Sequence, residues 1–388
     1  MKKILLAVSG SISFYKAYEI LSLLKKQGFG VKVLLSDGAM KFCTKASFEA
    51  LCDGVLCSEN ESWQNEYNHI AFSKDCDLII FAPASINSIN KLAYGIADNL
   101  FIQTLIAANK PLLIAPAANT NMYLHFSTQN SLKLLKDNGA FIAQPVSKVL
   151  ACGDLGVGAL ADINDIVDMG KRILFSTEFF KGKNILVTAG GCIEDIDKVR
   201  CISNHSSGKM GESLAKWAYF MGANVVLASS KHQSVKKLNY EIINYKSSKE
   251  LKSIMDKYSD FDMLFMSAAV SDFVPEFSDK KISKKDHKDG FTLHLKLNED
   301  LLKQVTFSGK KIGFKLENDY KQGALNAQNA LQDKNLDMIC LNTLEDSGLF
   351  GDNKNKMYLF DKKGSVYESE FLNKDDLAKF ILDKVKFL

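Results

Sequence analysis

Several protein classes are excluded by what the sequence lacks. No apolar run reaches the ~18 residues of a membrane span, so none is expected. The eight cysteines (43, 52, 57, 76, 152, 192, 201 and 340) include no Cys-x-x-Cys pair. A chain of this size folds without covalent staples, so reduced thiols in a cytoplasmic protein are expected. The six histidines (69, 125, 205, 232, 287 and 294) show no metal-ligand spacing, which argues against a structural zinc. Lys plus Arg exceed Asp plus Glu by only 49 to 45, a net +4, too weak for a nucleic-acid surface. The apolar stretch Ile4–Val8 is shorter than the ~7–15 residues of a secretory core and runs into Ser9-Gly10-Ser11, so it reads as a buried first strand. What remains is an ordinary globular composition, 46% hydrophobic and 24% charged over 388 residues. At ~100–200 residues per domain this gives two or three domains.

The first 35 residues read as strand, glycine turn, helix, strand: Ile4–Val8, then Phe14, Ala17, Tyr18, Leu21 and Leu24 at helical spacing, a stop at Gly28, and Val31–Leu35. This opens a parallel sheet. Leu78–Ala82 and Leu112–Ala115 read as further buried strands ended by Pro83 and Pro116, and loops at such ends bind ligands in doubly wound folds. Glycines 153, 156 and 158 read as a mobile segment, Asp162 as the cap of a helix through Leu174, and Phe175–Lys183 as a linker. A second α/β unit follows, with strands expected at Ile185–Thr188, Val225–Ala228, Met263–Met266, Ile312–Phe314 and Met338–Leu341. About 18 residues separate its first strand from the helix near Ser207, where such connections usually take ~2–6, and a connection that long is expected to be functional.

Two anion cradles are expected. Gly10-Ser11-Ile12-Ser13 lies between a strand and a helix N-terminus, where N–H groups and hydroxyls suit a phosphate; a plain capping turn is the competing reading. Ser203-Asn204-His205-Ser206-Ser207-Gly208-Lys209-Met210-Gly211 precedes the second unit's first helix and lacks the spacing of a Walker A loop. Taken singly, His69 and Cys152 would be ordinary core or surface residues, and the lysine run 280–288 a solvated face.

Taken in order, the motifs are recognisable. They are Asn68-His69, Pro83-Ala84-Ser85-Ile86-Asn87, Asp98-Asn99, Pro116-Ala117-Ala118-Asn119-Thr120-Asn121-Met122-Tyr123 and Ala151-Cys152-Gly153-Asp154-Leu155-Gly156-Val157-Gly158. This half resembles the flavin-dependent cysteine decarboxylases. The second half resembles phosphopantothenoylcysteine synthetases through the Ser203–Gly211 string, Ala268-Ala269-Val270-Ser271-Asp272-Phe273, Lys281-Ile282-Ser283-Lys284, Asn298-Glu299-Asp300-Leu301, Gly313-Phe314 and Lys334-Asn335-Leu336-Asp337. The whole chain thus resembles the bifunctional phosphopantothenoylcysteine decarboxylase / phosphopantothenate–cysteine ligases of coenzyme A biosynthesis.

The resemblance implies an α/β protein of two doubly wound Rossmann-like domains, a flavoprotein-type domain over 1–178 and a ligase-type domain over 179–388. It implies FMN held by Gly10, Ser11, Ser13, Ser36, Ser85, Asn87, Asp98 and Asn99, substrate held by Asn119 and Met122, and His69 and Cys152 as catalytic groups. The flavin gives an otherwise inert aliphatic carboxylate an electron sink through a thioaldehyde, and a protonated thiol can finish the product. The ligase half implies CTP and Mg2+ (or Mn2+), an acyl-cytidylate, Asn204, Arg200 and Lys281 as catalytic groups, and Ala268, Ala269, Asp272, Lys281, Asn298, Glu299, Asp300, Leu301, Phe314 and Lys334 around the nucleotide. Lysines and a cation would offset the repulsion between a triphosphate and a carboxylate. Trimeric flavin domains and dimeric ligase domains are implied, with small-molecule substrates as partners.

The chain departs from the family at Ala118 for Met, Tyr123 for Trp, Ala159 for an anion-binding Arg, Cys192-Ile193-Glu194-Asp195 for Thr-Arg-Glu-Pro, Lys198 for Pro, and Ala330 for a nucleotide-contacting Lys. A silent flavin-binding subunit, a peptidyl-cysteine decarboxylase and a flavin prenyltransferase are the other readings. The first conflicts with His69, Cys152 and the complete ligase half, and the other two leave residues 184–388 unexplained.

Overall fold

The computed structural model describes residues 1–149, 153, 155–230, 238–283, 290–347 and 354–388. They divide into two compact units, Met1–Phe175 and Ser176–Leu388.

The first unit is built on a six-stranded parallel sheet. Its strands are β1 (Lys3–Val8), β2 (Gly30–Leu35), β3 (Val55–Leu56), β4 (Leu78–Ala84), β5 (Leu112–Pro116) and β6 (Phe141–Ile142), in the order β3-β2-β1-β4-β5-β6. Each central strand is a continuous apolar run because helices cover both faces. Leu6, Val8, Val33 and Ile80 share one core with Ala17, Ile20, Leu21 and Leu24 of helix Lys16–Lys26 and with Ile166 and Val167 of helix Ile163–Phe175. Leu5, Ala7, Leu34, Ile79 and Phe81 face the other way, toward Ile86, Ile89, Phe101 and Leu105. Strand order reverses between β1 and β4, and such a switch point leaves a crevice beyond the strands' carboxyl ends.

Two local readings need correction. Strand β4 runs past Pro83 to Ala84 through an irregularity between Phe81 and Ala84. Proline brings no N–H, and Ser9 reorganises the junction: the Pro83 carbonyl accepts from Ser9 N at 3.2 Å and Ser9 Oγ at 2.9 Å, while Ser9 Oγ accepts from Ser85 N at 2.7 Å. The glycine-rich stretch also contains a strand, β8 (Leu155–Ala159), paired antiparallel with β7 (Val146–Val149).

The second unit's strands are β9 (Asn184–Ala189), β10 (Ile193–Asp195), β11 (Cys201–Ser203), β12 (Asn224–Ser229), β13 (Glu241–Asn244), β14 (Met263–Met266), β15 (Phe273–Pro275), β16 (Leu295–Leu297), β17 (Lys310–Glu317) and β18 (Met338–Thr343). The parallel order β13-β12-β9-β14-β17-β18 is extended by two antiparallel strands, Tyr358–Asp361 and Val366–Glu368. Order reverses between β9 and β14, giving a second switch point. The long connection after β9 is filled by the hairpin β10–β11 before helix Lys209–Phe220 begins. Gly211 lets that helix close on β9, since a Cβ there would lie 2.6 Å from the Ala189 Cβ. The stretch 175–183 is not a loose tether, because Phe180 is fully buried.

Burial pushes the thiol of Cys192 up to about 12 and that of Cys76 up to about 11. The unfolded chain releases these protons near the ordinary value of 9, so this contribution to stability is complete below pH 9 and is lost as pH rises toward 11–12. Ellman's reagent at pH 8 is expected to modify the exposed Cys201 in the folded protein and Cys76 and Cys192 only on unfolding. Rapid native labelling of Cys192, read by mass spectrometry, would contradict the buried placement.

Candidate active sites

In the first unit a cavity of about 840 Å³ lies beyond the strands' carboxyl ends. Its wall is largely a set of helix starts. Ser11 accepts from Ser13 N, Ser36 from Ala39 N, Ser85 from Ser88 N, Asn99 from Ile102 N and Asn119 from Asn121 N. All five caps line the cavity, as do Gly10, Ser13, Asn87 and Met122. Gly10 and Gly38 approach backbone to backbone, and a Cβ on Gly10 would lie 2.8 Å from the Gly38 carbonyl. These starts bring N–H groups and the positive ends of helix dipoles to one place, which favours an anion.

Two of the sequence-predicted residues are not in this wall. Asp98 is exposed and acts one step back: it binds Lys91 Nζ and accepts from Asn99 Nδ2 at 2.6 Å. The Lys91 ammonium holds the Asp98 carboxyl below its usual range. His69 opens helix His69–Lys74 under the Asn68 cap, whose Oδ1 accepts from Ala71 N at 2.9 Å. Its ring meets Glu61 Oε1 at 3.4 Å and the edge of Trp63, outside the cavity lining of its own chain. Cys152 lies outside the described residues. The hairpin next to it is in place: Gly158 O accepts from Ala118 N at 2.8 Å, and Lys148, Gly158 and Ala159 line the cavity.

In the second unit the loops after β9 and β14 meet at the switch point. Ala268 N donates to Thr188 Oγ1 at 3.0 Å, Ala269 N to Gly190 O at 2.9 Å and Cys192 N to Ala269 O at 3.0 Å. Asn204 Nδ2 donates to Val270 O at 3.2 Å, which brings the Ser203–Gly211 string against the loop after β14. Asn298 donates through N to Asp272 O at 2.7 Å and through Nδ2 to Ser271 O at 2.8 Å. Asp300 caps the short helix Leu301–Gln304 and pairs with Lys334 Nζ at 2.8 Å. Burial would raise the Asp300 carboxyl, but Lys334 and the Lys303 N–H outweigh it and hold it below the usual range. Glu299 pairs with Lys252. Phe314 is half-buried on β17, and Lys281 is exposed beside Ile282, whose carbonyl accepts from Arg200 Nη1 at 3.1 Å. Lys311 does not replace the lysine absent at Ala330: it is buried and donates to Lys334 O at 2.8 Å, supporting the Lys334 turn.

The sequence reading missed Lys16, Lys91 and Lys148 in the first cavity and Asp197 in the second unit. Lys16 faces Lys148, and burial together with that neighbouring ammonium holds its pKa below the ordinary lysine value. The lysines' only sequence signal was proximity to motifs: Lys16 to Gly10–Ser13, Lys91 to Pro83–Asn87 and Lys148 to Ala151–Gly158. Among the described residues, no group of three or more His, Cys, Asp or Glu could hold a metal ion, and no helix is long and apolar enough to cross a membrane.

Fold and sites define a doubly wound α/β protein of two units, with loops converging at the switch point of each sheet and a cavity at that of the first. Residues 1–174 match the Flavoprotein family, and residues 180–388 match the DNA/pantothenate metabolism flavoprotein C-terminal domain. The "Coenzyme A biosynthesis bifunctional protein CoaBC" of Bacillus subtilis (strain 168) is 35% identical over 399 residues, covering 100% of this chain and 97% of the relative. That of Vibrio vulnificus (strain CMCP6) is 33% identical over 376 residues, 94% of this chain and 92% of the relative. A cysteine/cysteine sulfinic acid decarboxylase from an unknown prokaryotic organism is 35% identical over 341 residues, 84% of this chain and 92% of that protein. The chain belongs to the family of bifunctional coenzyme A biosynthesis proteins, with a flavoprotein decarboxylase unit followed by a ligase unit.

Proposed function

We propose that the second unit joins 4'-phosphopantothenate to cysteine at the expense of CTP, and that the first decarboxylates the resulting 4'-phosphopantothenoylcysteine to 4'-phosphopantetheine with FMN, in the cytoplasm. The observation that carries the first half is the convergence of five helix starts on one cavity of about 840 Å³. The residues fit FMN: Gly10, Ser11, Ser13, Ser36, Ser85, Asn87 and Asn99 would hold it, with Asp98 fixing Lys91 and Asn99. When bound, FMN supplies the two-electron sink that a simple aliphatic carboxylate lacks. Asn119 and Met122 orient the substrate, and Lys16 and Lys148 offset its negative charge. Cys152 gives the final proton as a thiol. His69 lies outside the lining of its own chain, and a catalytic role for it would need a neighbouring copy of a homo-oligomer to present it to the cavity.

In the ligase unit, the carboxylate of 4'-phosphopantothenate displaces pyrophosphate from CTP, and the amine of cysteine then displaces CMP from the acyl-cytidylate. Arg200, Lys281 and Asn204 face the acyl-cytidylate. Ala268, Ala269, Asp272, Asn298, Glu299, Asp300, Leu301, Phe314 and Lys334 surround the nucleotide. A divalent cation, Mg2+ or Mn2+, would enter with the triphosphate and offset its negative charge.

The purified full chain is expected to be yellow and to release pyrophosphate and carbon dioxide from 4'-phosphopantothenate, cysteine and CTP, with CTP preferred over ATP in parallel assays. Cys152→Ser is expected to stop product formation after the flavin is reduced, seen as bleaching of the protein's yellow colour, with ligation unaffected. Normal turnover by Cys152→Ser would remove its proton-donor role, and colourless protein would remove the flavin reading altogether.

A further inference from the structure

Asp197 sits at the turn of the β10–β11 hairpin, where Ile196 N donates to Arg200 O at 2.8 Å. Its side chain has 0% exposure. A carboxylate buried this far is costly unless its oxygens are bonded and its charge is met. Here both conditions hold. Oδ1 accepts from Val199 N at 2.7 Å and Arg200 N at 2.8 Å; Oδ2 accepts from Arg200 Nη1 at 2.6 Å and Ile282 N at 3.0 Å. These bonds, led by the one from Ile282 N, hold the carboxyl down to about 2 against the opposing effect of burial, so it is an anion at every working pH.

Two of those donors come from different parts of the ligase cleft. Ile282 follows Lys281 and is 85 residues from Asp197 in sequence. Arg200 Nη1 donates both to Asp197 and to Ile282 O at 3.1 Å, so carboxylate and guanidinium grip the Ile282 residue through its N–H and its carbonyl. The seam continues through Ser278 N, which donates to Ile196 O at 2.9 Å, and Ser278 Oγ, which donates to Lys280 O at 2.9 Å. The bonds to Asp197 and Ile282 both leave from Nη1 and fix the guanidinium plane.

We propose that Asp197 is a positioning residue for ligation: by holding the Arg200 guanidinium and the Ile282 N–H on one carboxylate oxygen, it brings Arg200 and Lys281 into a single anion-binding arrangement without touching the substrates. This rests on the reading above that Arg200 and Lys281 serve ligation.

The test uses the full chain. Asp197→Asn keeps the size and one accepting oxygen but sets an NH2 or a neutral oxygen where two donors converge. Ligation, read as pyrophosphate release, is expected to lose about 100-fold in kcat/KM, the scale of losing a preorganised electrostatic contact. Decarboxylation of preformed 4'-phosphopantothenoylcysteine should stay within about twofold, a bound set by ordinary assay scatter rather than by any lost contact. Because the effect runs through partners, Asp197→Asn in an Arg200→Ala, Lys281→Ala background should cost less than about threefold more, the non-additivity expected of residues acting as a unit. Ile282→Pro removes the N–H given to Asp197, and with it the Ile side chain and part of the backbone freedom of Lys281; it is expected to raise KM for CTP about tenfold while kcat changes less, and if Asp197→Asn does not fold, unchanged ligation by Ile282→Pro overturns the proposal. Near-normal ligation by Asp197→Asn, or an undiminished loss in the doubly substituted background, overturns the proposal. If Arg200→Ala and Lys281→Ala themselves ligate normally, the site reading fails first and the proposal with it.

Discussion

Gly158→Ala should lose about 100-fold or more in decarboxylation, close to 2.7 kcal/mol in the barrier, with ligation unchanged. The residue has φ +138°, which side-chain-bearing residues rarely adopt, and an added Cβ would lie 2.4 Å from the Ala118 carbonyl oxygen. A backbone oxygen cannot rotate aside. Strand β8 would have to lift from the loop after β5, breaking the bond from Ala118 N to Gly158 O and admitting water beside Asn119. Gly156→Ala is a useful contrast. Its Cβ would meet Thr120 Oγ1 at 2.2 Å, a side-chain atom that can turn away, so the loss should be smaller, roughly tenfold. Carbon dioxide release from preformed 4'-phosphopantothenoylcysteine measures both, and a fully active Gly158→Ala would mean that the hairpin need not rest on that loop during turnover.

Asn204→Asp should have the opposite profile, losing about 10²–10³ in ligation while decarboxylation continues. Asn204 is exposed at the cleft and donates from Nδ2 to Val270 O at 3.2 Å. A carboxylate cannot make that bond. It would set a negative oxygen against a carbonyl oxygen and repel an incoming acid and triphosphate. Pyrophosphate release in the presence of all three substrates is the measurement. Wild-type rates would exclude Asn204 from the reaction.

Much of the fold was legible because parallel strands covered on both faces are unbroken apolar runs, and β1, β4 and β14 are such runs. The first cavity was partly legible for a related reason. Ser85, Asn99 and Asn119 cap helices, and capping residues carry a local signature. The β7–β8 hairpin was misread because its glycines are set by tertiary contacts, Gly158 with Ala118 and Gly156 with Thr120, and not by strand preference. Asp197 was missed because its decisive partner, Ile282, is 85 residues away. The family resemblance named His69 but could not tell that its ring turns to Glu61 and Trp63.

The caps of the first cavity have one more consequence. Their side-chain oxygens already accept from their own helices, which leaves main-chain dipoles to face the guest. Amide groups neither gain nor lose protons in the physiological range, so their share of the grip follows the guest's own ionisation, beside the charge that Lys16, Lys91 and Lys148 bring to the wall. Trading one hydroxyl for a methyl there would loosen a helix end before it dislodged the guest.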